Sequence, residues 1–97
     1  MIYAAEARRQ IAALRDHYEQ LDRIEAVMRL QAALTAGEQR IEARPDAGLP
    51  APRPYPELAR DGQAWVKVGR YWITYRLRKP PVIFGVFYEA ADIPRRL

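Results

Sequence analysis

The chain has 97 residues, a net charge of +4 and no cysteine, so it is read as one domain, residues 1–97, with a small core. The absence of cysteine removes disulfides, thiolate nucleophiles and cysteine metal sites, and fits a reducing compartment such as the cytoplasm. His17 is the single histidine, which excludes a histidine-rich metal centre; no metal or cofactor is expected, and no stretch has the roughly 18 apolar residues of a membrane span. Charge is uneven. Residues 1–59 hold 8 basic and 9 acidic side chains (net −1), and residues 60–97 hold 8 and 3 (net +5). A basic C-terminal half points to an acidic partner, unless it serves only solubility.

Residues 1–44 read as two helices. Ile11, Leu14, Tyr18 and Leu21 share one face at helical spacing, and Ile24, Val27, Leu30, Leu34 and Ile41 form a second stripe. Between them Asp22 is placed to cap the second helix, with Glu25 completing a capping box, as a tight helical hairpin requires. His17 is assigned to a surface or semi-buried position on the first helix. Gly37 weakens the second helix without ending it; Pro45 ends it. Residues 44–62, with five prolines and two glycines, form a linker anchored by Tyr55 and Leu58.

Three strands follow. Gln63 to Val68 and Tyr71 to Leu77 are joined by a Gly69-Arg70 turn. Tyr71, Ile73, Tyr75 and Leu77 alternate with Trp72, Thr74 and Arg76, which are placed on an outer face free to meet a partner. Val82 to Tyr88 is apolar throughout, as an interior strand would be, and Gly85 leaves room for a neighbouring ring or a bend. The fold class is α+β: an N-terminal helical hairpin on a three- to four-stranded antiparallel sheet, its first strand short or absent because only Met1, Ile2 and Tyr3 precede the first helix.

The order of these features resembles the RelE/ParE family of toxins from bacterial type II toxin–antitoxin systems. The resemblance rests on YAAEARRQIAAL at the start, a second helix leading to Pro45 and Gly48, the W-x-K-x-G-R-Y-x-I-x-Y block from Trp65 to Tyr75, and VIFGVFYEAADIPRR from Val82 to Arg96. It implies a cytoplasmic toxin neutralised by a cognate antitoxin, with promoter DNA bound only through the antitoxin complex. Arg76, Arg78, Lys79 and Arg95 are the basic residues expected to meet the antitoxin's carboxylates.

The family divides by activity, and the ribosome-dependent messenger RNA endoribonucleases of the RelE-like branch keep an arginine directly after the tyrosine that opens the middle strand. Here that place holds Trp72, which can stack on a base but cannot neutralise a phosphate. The residues left for a cleavage site are Lys67, Arg76, Tyr88 and Glu89. Each has a plainer role: Lys67 as a solvated strand lysine, Arg76 as a cross-sheet partner of Glu89, Tyr88 as a core ring with a wet hydroxyl. Glu89 and Asp92 would repel a phosphate unless paired. The chain is therefore placed nearer the ParE-like branch, which inhibits DNA gyrase by binding. No catalytic residue is assigned, and Trp72, Arg76, Arg95 and Arg96 are the expected contacts with the target; the last two lie in an exposed basic tail, Ile93 to Leu97. The alternatives are messenger RNA cleavage and an inactive toxin-fold binding protein.

Overall fold

A computed structural model describes all 97 residues. Strand β1 (Ile2–Tyr3) leads into helices α1 (Ala5–Gln20) and α2 (Ile24–Ala43). After the linker come β2 (Gln63–Val68), β3 (Tyr71–Arg76), β4 (Val82–Tyr88) and a single-turn helix α3 (Ile93–Arg96). The sheet order is β1-β4-β3-β2. β2, β3 and β4 form an antiparallel meander, and the two-residue β1 joins the far edge parallel to β4, with Ile2 opposite Val82. The expected α+β hairpin-on-sheet architecture, with a short first strand, is what the chain adopts. No helix is long and apolar enough to cross a membrane.

The α1–α2 connection corrects the expected capping box. Asp22 does not cap α2; its φ is +57°, in the left-handed region. Its N–H donates to the Glu19 carbonyl at 3.1 Å, and the Arg23 N–H donates to the Tyr18 carbonyl at 2.8 Å. This pair of bonds is the Schellman arrangement that closes a helix C-terminus, with a left-handed Asp in the position glycine usually fills. Only Leu21 to Arg23 separate the helices, so Asp22 is consumed in ending α1. Arg23 stands at the start of α2 without a side-chain cap.

The helical hairpin packs on one face of the sheet. Ala7, Tyr18, Leu30, Leu34 and Ile41 meet Tyr71, Ile73, Tyr75, Ile83 and Val86 in the main core. Gly37 is what lets α2 lie so close: a Cβ there would fall 2.6 Å from the Ile73 Cδ1. Leu21 and Ile24, expected in the apolar stripes, are instead exposed at the hairpin tip, as is Met28.

The outer face of the sheet is not open, which corrects the second expectation. Trp65, Trp72, Phe87, Ala51, Leu58 and Ile93 form a separate core there, with Leu49 and Tyr55 packed against it. The linker crosses this face and is tied to β2 by two backbone bonds, Leu49 N–H to Trp65 C=O at 2.7 Å and Trp65 N–H to Leu49 C=O at 2.8 Å. Thr74 is fully buried there, its hydroxyl donating to the Ala64 carbonyl at 3.0 Å and accepting from Gln63 Nε2 at 2.8 Å. β4 carries a bulge at Phe84, since Thr74 pairs with Gly85 and Tyr75 with Ile83. Gly85 then admits the Phe87 ring, whose Cε2 would lie 2.7 Å from an added Cβ.

Candidate functional site

The basic residues of β2 and the β2–β3 turn converge on the end of β4. Gly69, at φ +58°, makes the tight turn that presents Arg70. The Glu89 N–H donates to the Arg70 carbonyl at 2.8 Å, which pins the residue after β4 against this turn. The Glu89 carboxylate then reaches the Lys67 ammonium at 2.8 Å and the Arg70 guanidinium at 3.5 Å. Arg70 Nη1 also donates to the Tyr88 hydroxyl at 3.4 Å. The Lys67 hydrogen bond, reinforced by the charges of Lys67 and Arg70, holds the Glu89 carboxyl below the usual carboxylate range.

Three of the four residues considered for a cleavage site therefore meet: Lys67, Tyr88 and Glu89. Arg76 does not join them. It ends β3 opposite Val82, whereas the cluster sits where Tyr71 faces Tyr88, five residues or about 17 Å along the strand. Nor does Arg76 pair with Glu89, as the sequence reading had it. Its guanidinium lies 4.3 Å from the centroid of the half-buried Phe84 ring at the bulge. Arg70 occupies the position by Glu89 instead, and was read only as a turn residue. Its signal was the Gly69-Arg70 pair itself, because a two-residue turn must project its second side chain beside the neighbouring strand's end.

Chemically, the cluster is a carboxylate shared between two cations. A phosphate entering it would have to displace Glu89 from Lys67. There is no histidine within it, and besides Tyr88 the Trp72 ring lies near, its centroid 5.9 Å from the Lys67 ammonium.

The expected target contacts separate in the same way. Trp72 is 3% exposed, beneath the linker and α3, so its indole offers no surface to a partner. The alternation that pointed it outward was correct; the linker lying over that face was not foreseen. Arg95 and Arg96 are exposed, and Arg95 pairs with Asp92 at 3.2 Å. Ile93, assigned to an exposed tail, is fully buried and anchors α3. Of the residues expected to meet an antitoxin, Arg76, Arg78 and Lys79 are exposed where β3 turns into β4, while Arg95 follows the opposite end of β4. They form two basic patches, not one.

A cavity of about 790 Å³ opens between the hairpin tip and the β2–β3 turn, beside the Arg70–Tyr88 contact. Its walls include Tyr18, Tyr71 and Tyr88, with Arg23, Arg29 and Arg70 at the rim. The Tyr18 and Tyr71 hydroxyls are 2.6 Å apart. The sequence marks Tyr18 only as a stripe residue and gives no signal for Arg23 and Arg29, because helical spacing says nothing about which sheet end the hairpin tip will face.

The helical pair on a four-stranded sheet is consistent with a RelE/ParE-like architecture, but no known family's model matches the chain and no curated protein sequence matches it.

Proposed function

We propose that this chain is the toxin of a type II toxin–antitoxin pair, of the RelE/ParE kind, and that it acts on DNA gyrase by binding rather than by cutting messenger RNA. The observation that carries the choice is the Lys67–Glu89–Arg70 cluster. In-line attack on a phosphodiester needs unspent positive charge at phosphorus and a base or acid in reach of the reacting oxygens. Here the one carboxylate is ion-paired with both cations beside it, leaving a net charge of about +1, Arg76 is a strand's length away, and Trp72 is buried. A binding toxin carries no such geometric demand. Its contacts would be the exposed cations, Arg76 on its Phe84 platform and the Arg95-Arg96 end, with Trp72 withdrawn from the set.

The runner-up is ribosome-dependent messenger RNA cleavage, favoured by the same gathering of Lys67, Arg70, Tyr88 and Glu89. The antitoxin would bring acidic side chains to the Arg76-Arg78-Lys79 patch, and its own DNA-binding part would carry the pair to promoter DNA. Expression in a bacterial host tests the reading. Growth should stop, the product of a neighbouring reading frame should restore it, and plasmid DNA should lose supercoiling while messages stay whole. Unimpeded growth, or arrest accompanied by codon-specific message cuts, would contradict it.

A further inference from the structure

The tyrosine-walled cavity is separate from the surfaces assigned to target or antitoxin, and its chemistry points to a small ligand. Two hydroxyls, those of Tyr18 and Tyr71, share one hydrogen bond at 2.6 Å, and both rings are at least nine-tenths buried. Two hydroxyls carry two protons, and their mutual bond uses one. The second O–H has no protein acceptor, so it is a donor with an open partner at the cavity wall. Burial raises the Tyr71 hydroxyl above its ordinary pKa, which keeps it a donor throughout the physiological range.

Around this donor stand three guanidiniums and no carboxylate. Arg23 lies 5.6 Å from the centroid of the Tyr18 ring and has no ion-pair partner. Arg29 is held only loosely by Glu25, at 4.0 Å on the solvent side, and Arg70 shares Glu89 with Lys67; neither acid lines the cavity. His17 also lines the cavity, and its imidazole can donate as well as accept; the site is thus rich in donors and cations and holds no carboxylate, the complement of a phosphate. The remaining wall is aromatic and aliphatic. Tyr71 and Tyr88 meet edge to face at 5.7 Å, beside alanines of α2. This wall suits a flat ring, and the volume falls within the range of small-ligand sites.

We propose that this cavity binds a phosphate monoester carried on a planar base, a nucleoside monophosphate, with the phosphate held by Arg29, Arg23 and the spare tyrosine O–H and the base against Tyr88. The site stands whether or not the protein is a toxin. Isothermal titration of the full chain with adenosine 5′-monophosphate, adenosine and inorganic phosphate tests it. The monophosphate should saturate at millimolar concentration or below, with adenosine and phosphate each weaker by about tenfold or more, since each lacks half of the contacts. Arg29→Ala, at an exposed position that folding does not require, should weaken the monophosphate by about tenfold, while Arg9→Ala, an equal loss of charge elsewhere on the hairpin, should leave it unchanged. No saturation by the monophosphate, equal losses in the two variants, or equal affinity for adenosine would overturn the assignment. So would tighter binding of an unphosphorylated oligonucleotide.

Discussion

Replacing Trp72 by alanine separates two accounts of the outer sheet face. In the structure its indole is 3% exposed and packed in a cluster with Trp65, Phe87, Leu58 and Ile93. Two cations flank it, Lys67 at 5.9 Å and Arg53 at 5.6 Å from the ring centroid, so the aliphatic stems of both also cover it. Truncating such a ring costs about 3–5 kcal/mol, the transfer of the lost atoms plus the cavity left behind. A domain of this size has a total stability of about 5–15 kcal/mol, so Trp72→Ala should lose roughly a fifth of it or more. With a urea slope of about 2 kcal/mol/M, the midpoint should fall by roughly 2 M. An exposed contact residue would shift it hardly at all, because surface changes stay within about 0.5 kcal/mol. Urea titration followed by far-UV circular dichroism reads the difference. A midpoint within about 0.3 M of the parent protein would refute the burial of Trp72 and the linker's role in covering it.

Other expected outcomes follow from the same contacts. Gly37→Val should destabilise the protein by about 1–3 kcal/mol in the same titration, because its branches have no space beside Ile73. The Glu89 carboxyl titrates below its unfolded value, so its stabilising effect is present above about pH 4.3 and is lost as pH falls through the lower folded value; Glu89→Gln should remove that part of the acid dependence in denaturant titrations. Tyr3, Tyr71 and Tyr75 all have raised hydroxyl pKa values, burial being the largest cause in each. Their neutral forms favour the fold below the unfolded value of about 10, and that preference is lost as pH rises toward the folded values. Absorbance at about 295 nm should therefore show these three tyrosines ionising late and together with unfolding.

The sequence carried the sheet's alternation and the interior place of β4 because both depend on periodicity, a local property. It also carried the reason for Gly85, where a neighbouring ring does fill the gap. Asp22 was misassigned because one polar residue between two helices satisfies the signals for ending the first and for starting the second, and only the backbone angle decides. The outer face was misread for a different reason. Proline-rich spacing says that residues 44–62 form no regular element, but not where they lie. The clue was compositional: Trp65, Trp72 and Phe87 fall on one face, and three large rings on one side of a small sheet demand a cover. The candidate site was half legible. Lys67, Tyr88 and Glu89 were named from their strands, but the exchange of Arg76 for Arg70 depends on which end of β3 meets the end of β4, and that is a matter of register.

The binding reading is tested most directly by adding the purified protein, in parallel, to a DNA gyrase supercoiling reaction and to ribosomes programmed with message. It predicts that supercoiling stops, that message stays intact, and that Arg95→Ala with Arg96→Ala relieves the inhibition while Lys67→Ala does not. Codon-specific cleavage of the message, lost in Lys67→Ala or Arg70→Ala, with supercoiling untouched, would contradict it.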